Sequence, residues 1–101
     1  MGKIINLNGS DRVNGTSFFG DVVLASANGI CDTLGVDVTC YDGDKTHYEF
    51  ELELEDGTPF TLYDWKESDW VTEDTPLYFH IGARNSGESR KVKDALKEYF
   101  R

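Results

Sequence analysis

Residues 48–55 read Tyr-Glu-Phe-Glu-Leu-Glu-Leu-Glu, an unbroken alternation. In an extended chain it puts Tyr48, Phe50, Leu52 and Leu54 on one side and Glu49, Glu51, Glu53 and Glu55 on the other. A period of two demands a half-buried β-strand, and such a strand needs paired neighbours and a cover over its apolar side. Asp56-Gly57 turns the chain into Thr58-Pro59-Phe60-Thr61-Leu62-Tyr63-Asp64-Trp65-Lys66, which completes a hairpin. A two-residue turn would set Phe60 and Leu62 beside the glutamates. A three-residue turn with Gly57 in the left-handed conformation sets them beside Leu52 and Phe50, and this register is expected because it matches apolar with apolar. The glutamate side then also carries Thr61, Tyr63 and Trp65, so it is acidic and aromatic together.

Weaker local signals place the other elements. Lys3 to Asn8 alternates until Asn8-Gly9-Ser10 breaks it and predicts a short first strand. Ser17 to Leu24 is β-branched and aromatic, a second strand in which Gly20 marks a bulge or a close backbone approach. Ser26 is the expected N-cap of a helix that buries Ile30, Cys31 and Leu34 and ends at Gly35. Val36 to Tyr41 predicts a further short strand before the Asp42-Gly43-Asp44 turn. Leu77 to Gly82 alternates again and is expected to close the sheet, after an acidic loop from Glu67 to Thr75. Ser86 or Ser89 is expected to cap a final helix in which Val92, Ala95, Leu96, Tyr99 and Phe100 recur at helical spacing, with Lys93, Lys97 and Arg101 toward its carbonyl end. The fold class is therefore α+β: a mostly antiparallel sheet of about five strands with two helices, one of them C-terminal. With 101 residues and no linker or repeat, a single domain over 1–101 is expected.

Charge and composition limit the partners. Nineteen acidic and ten basic residues give a net charge of −9, which repels phosphate backbones and anionic membranes and disfavours direct nucleic-acid binding. A basic protein surface, a cation, or a small ligand held at a locally basic site remains compatible. The start Met-Gly-Lys-Ile-Ile-Asn lacks the pattern of a secretory signal and no apolar run is long enough to span a membrane, so a cytoplasmic protein is expected. Cys31 and Cys40 have no partner pair for a zinc or redox motif, and buried or half-buried thiols are expected.

Catalytic chemistry finds no foothold. His47 and His80 lack a local ligand pattern, and Asp42-Gly43-Asp44 opens like a calcium loop without the later oxygen ligands, so no metal is expected. No strained nucleophile elbow appears, and Gly15-Thr16-Ser17-Phe18-Phe19-Gly20 lacks the lysine and following helix of a phosphate loop. That loop can still present N–H groups and two hydroxyls to an anion. Without any constellation for acid–base or nucleophilic work, a non-enzymatic binding protein with no cofactor is expected.

The glutamate ladder is the first candidate binding surface. Same-side residues in a strand lie about 6.6 Å apart, comparable with successive phosphates of a nucleic-acid strand. Glu49, Glu51, Glu53 and Glu55, extended by Asp69 and anchored by Tyr63, Trp65 and Trp70, suit the basic groove of a nucleic-acid-binding protein. The alternative is a solvated outer sheet face that discourages edge association.

Three stretches carry a resemblance: Asn14-Gly15-Thr16-Ser17-Phe18-Phe19-Gly20, then Asp42-Gly43-Asp44-Lys45-Thr46 through Glu55-Asp56-Gly57-Thr58 to Leu62-Tyr63-Asp64-Trp65-Lys66, and Phe79-His80-Ile81-Gly82. In order and spacing over most of residues 14–92 they resemble a group of small tailed-phage and prophage accessory proteins. The chain departs from that pattern by a longer lead before Gly15 and by Val36 to Tyr41. The resemblance implies a phage accessory protein acting in the host cytoplasm, and small acidic proteins of this kind often block host defences. Two mechanisms suit it. In the first, the acidic strand face covers the basic surface of a host defence complex, such as a CRISPR effector, as a nucleic-acid mimic. In the second, Gly15, Thr16, Ser17, Tyr63, Trp65, Lys66, His80 and Arg84 grip a nucleotide-like signal, at the interface of a homodimer. A third reading is a structural or morphogenesis accessory that binds another phage protein, and its mark is an exposed apolar patch rather than a charged one.

Overall fold

The structure is a computed structural model that describes residues 4–6, 15–37, 40–41, 48–64 and 71–100. Its elements in chain order are β1 (Ile5–Asn6), β2 (Ser17–Ala25), α1 (Ala27–Leu34), β3 (Cys40–Tyr41), β4 (Tyr48–Glu53), β5 (Pro59–Asp64), β6 (Leu77–Ala83) and α2 (Ser86–Lys97). The strands form one antiparallel sheet in the order β1-β4-β5-β6-β2, with β3 also paired to β4. The expected α+β class holds. Four strands are of substantial length, and β1 and β3 are two-residue additions on β4.

The hairpin has the apolar-matching register. Phe50 opposes Leu62 and Leu52 opposes Phe60, and the turn closes with Leu54 N–H donating to the Thr58 carbonyl. Gly57 has φ 94°, the left-handed value that lets three loop residues bridge this register. Phe50, Leu52, Phe60, Leu62, Phe79 and Ile81 are fully buried on one side of the three central strands. Ile30 of α1 and Val92 and Leu96 of α2 cover them, and Phe50 meets Phe79 edge to face with centroids 5.9 Å apart.

Polar contacts fix the helices to the sheet. The side chain of Ser26 accepts from Gly29 N–H to start α1, and Gly35 ends it at φ 68°. Asn28 ties α1 to the β5–β6 connection, its N–H donating to the Glu73 carbonyl and its amide to Asp74. Ser89 of α2 is fully buried and donates at 2.7 Å to Asp21 of β2, whose carboxylate also faces Arg90 and Lys93. At the hairpin tip Lys91 of α2 pairs with Asp56 and donates to the Thr58 hydroxyl at 3.0 Å.

Four sequence expectations need correction. The cap of α2 is Asn85, whose side chain accepts from Glu88 N–H; Ser86 is the first helical residue and Ser89 faces the core. Tyr99 and Phe100 lie beyond the end of α2 yet still pack against the core. Val36 and Asp37 are not strand, Val38 and Thr39 lie outside the described residues, and only Cys40–Tyr41 pairs with β4. β6 does not close the sheet: it lies between β5 and β2, and β2 occupies the border. This order brings the Gly20 bulge to the border strand, where the register on β6 shifts between Phe18 and Val22. Among the described residues no helix is long and apolar enough to cross a membrane.

Asp64 is 1% exposed and its carboxylate accepts from Tyr48 N–H at 2.8 Å, securing the first residue of β4. Asp64→Ala should lower stability by about 2 kcal/mol, because a buried hydrogen bond is lost and its donor stranded; denaturant unfolding measures this. At the tip, Lys91, then the Thr58 hydroxyl and the Thr58 N–H, hold the Asp56 carboxyl down at about 2, against an ordinary 3.8. A folded-state value below the unfolded one means the contribution is present above the ordinary carboxylate range and disappears as pH falls through about 2. In a carboxyl NMR titration, Lys91→Gln should move the Asp56 midpoint up toward its ordinary value.

Candidate functional site

The side of the sheet away from the helices carries the site. Pairing aligns Val22 with His80, His80 with Tyr63, and Tyr63 with Glu49, which makes a row across β2, β6, β5 and β4. His80 is the centre of this row. The Phe18 ring stacks on it with centroids 4.3 Å apart and planes 19° apart, and Tyr63 meets it edge-on at 5.3 Å. Burial, with Glu49 beside it, pushes the Tyr63 phenol above its usual range. Below His80 the backbone of Gly82 leaves a shallow notch: a Cβ there would run into the Thr61 hydroxyl and come within 3.6 Å of the Thr16 hydroxyl. Glycine at this position lets Thr61 of β5 and Thr16, just before β2, close over β6.

Toward the border the same side becomes apolar. Phe18 is 43%, Phe19 44%, Leu24 54% and Tyr78 63% exposed, and Leu24 and Tyr78 are paired in register. Tyr78, His80, Phe18, Val22 and Leu24 thus form a continuous aromatic and aliphatic surface over β6 and β2. Toward β4 it becomes acidic.

The acidic part differs from the expected open ladder. Glu55 at the turn is exposed, Glu49 and Glu51 are half-buried, and Glu53 is only 8% exposed. The cause is position: β4 has β5 on one side and both β1 and β3 on the other, with Ile5 opposite Glu53, so neighbouring strands flank its outer side chains. A strand of glutamates laid bare along its length is therefore not available, and only the Glu55 end of the ladder is fully presented.

Of the residues expected to grip a ligand, the fold gathers most at one end of this surface. Gly15 turns at φ 85°, Thr16 reaches over Gly82, Ser17 opposes Ala83, and Tyr63 touches His80. Arg84 is committed elsewhere, its guanidinium forked onto Glu88 at 2.8 and 2.6 Å. Trp65, Lys66, Asp69 and Trp70 lie outside the described residues. Sequence reasoning assigned no binding role to Phe18, Phe19, Leu24 or Tyr78. The available signal was the Gly20 interruption of β2, which releases the run from strict alternation and leaves two adjacent phenylalanines both exposed.

The chain matches no protein-family model, no curated protein and no solved structure. As a check on the geometry of this surface, Gly82→Ala should destabilise the protein by about 1–2 kcal/mol by overpacking. Adding Thr61→Ala should recover much of that loss, which a double-mutant cycle of unfolding free energies measures.

Proposed function

We propose that this chain is a non-enzymatic protein-binding module that meets its partner with the outer side of its sheet. The observation that carries the reading is the exposed group of Phe18, Phe19, Leu24 and Tyr78, set around the Phe18–His80–Tyr63 stack. Aromatic side chains held by a sheet and rimmed by polar residues are the usual centres of binding energy at protein interfaces, since they desolvate much area at little entropic cost. Of the roles implied by the resemblance to phage proteins, this surface favours the accessory that binds another protein through apolar contact.

Charge supports inhibition of a host protein as a second reading, in changed form. Residues 84–101 carry six basic and three acidic side chains, while residues 1–83 carry four basic and sixteen acidic, so the acidic charge lies outside α2 and its flanks. A basic partner would be steered by this field and held by the aromatic centre, rather than by a row of glutamates mimicking phosphates. The half-buried positions of Glu49 and Glu51 and the buried Glu53 count against a pure mimic.

Affinity capture from host lysate with and without phage infection, at low and high salt, tests this. The expected result is a protein retained at high salt by the wild type and lost with Phe18→Ser plus Tyr78→Glu, while thermal unfolding is unchanged. A partner released by salt, indifferent to those two substitutions and lost with Glu55→Lys, would replace the apolar reading with the electrostatic one. Capture unaffected by any of these changes would place the binding surface elsewhere.

A further inference from the structure

A groove of about 420 Å³ lies on the opposite flank of β2 from β6, lined by Val22, Val23, Leu24, Lys93, Lys97 and Phe100. One wall is a strand and the other a helix. Among the described residues no strand pairs with this flank of β2, so alternate residues direct N–H and C=O groups into the groove. The bulge between Phe18 and Val22 disrupts the edge before the groove, and Ser26 begins the cap of α1 after it. Only Val22 to Ala25 offers regular pairing, and the first three of these residues line the groove.

The opposite wall selects the occupant by charge. Lys97 is two-thirds exposed, and its acidic neighbour Asp94 is about as exposed at 3.8 Å, a spacing at which such pairs contribute little. Lys93 shares Asp21 with Arg90 and the Ser89 hydroxyl, so cations outnumber carboxylates around it. Lys93 and Lys97 are one helical turn apart, a rise of about 6 Å. Alternate side chains of an extended strand are about 6.6 Å apart, so two carboxylates at alternate positions match two lysines at this spacing. A second copy of this chain joined edge to edge about a twofold would instead bring these lysines toward their counterparts.

We propose that the groove takes an extended peptide with acidic side chains at alternate positions, which adds to β2 along Val22–Ala25 and sets two carboxylates against Lys93 and Lys97. Its backbone continues the sheet, its alternate apolar side chains cover Val22 and Leu24, and Phe100 closes the end of the groove. The site borders the outer aromatic surface, with which it shares Val22 and Leu24, and does not rest on the function proposed for that surface. It selects an acidic ligand although the whole chain is itself strongly acidic.

A fluorescent peptide alternating valine with glutamate, titrated into the intact chain at low salt, tests the proposal by anisotropy. The expected result is saturable binding that weakens about tenfold or more when Lys93→Glu and Lys97→Glu are combined. Binding should vanish when the peptide backbone is N-methylated at alternate residues, and should be unchanged by Phe18→Ser. Because the N-methylated peptide is compared on wild-type protein, this arm does not depend on how the lysine variant folds. No binding of the first peptide, equal affinity for the N-methylated one or for a valine–lysine one, or loss of binding with Phe18→Ser would overturn the proposal.

Discussion

Phe50 and Leu52 of β4 lie against Leu62 and Phe60 of β5, and both the helix layer and the outer side of the sheet take their positions from this pairing. Strand side chains alternate strictly, so a shift of one residue would move Phe60 and Leu62 to the side of the glutamates and leave the helices nothing to cover. Gly57, in a conformation costly for residues with a Cβ, sets the loop length that prevents the shift. Asp64 adds a second restraint at the far end of the hairpin by accepting from Tyr48. Core packing and the composition of the outer side are thus two results of one register.

That register was legible because every signal for it is local: the alternation, the Asp56-Gly57 turn and the apolar pairs lie within residues 48–64. The caps of α1 were legible for the same reason, with Ser26 and Gly35 bracketing a short apolar spacing. The start of α2 was less so, since Asn85, Ser86 and Ser89 all have side chains suited to capping. Glu88 three residues after Asn85 has the spacing of a capping box, but its carboxylate turns to Arg84. Beyond the β4–β5 hairpin, strand order was not legible. Nothing near Ser17 or Leu77 states that β2 and β6 are partners, or that β6 is interior and β2 a border.

The same blindness to neighbours explains the candidate site. Alternation showed which side the glutamates take, but their exposure depends on β1, β3 and β5 alongside them, which period-two patterning does not encode. The aromatic surface arises from the border position of β2 combined with the bulge at Gly20, two facts that meet only in the folded sheet. His47, Trp65 and Trp70 fall outside the described residues, so the histidine chemistry of the site rests on His80 and its two aromatic neighbours.

The pairing of β2 with β6 has a kinetic side. β2 precedes its partner by everything from Ser26 to Pro76, whereas β4 and β5 are separated only by their turn. Local hairpins close quickly and distant strands late, because long loops lose more entropy on closure. A nascent chain therefore exposes Phe18, Phe19, Val22, Val23 and Leu24 through most of its synthesis, a run of the kind that seeds aggregation. Gly20 and Asp21 divide that run into two short apolar pieces. The two residues that form the bulge in the finished sheet thus also shorten the apolar run that the unfinished chain exposes.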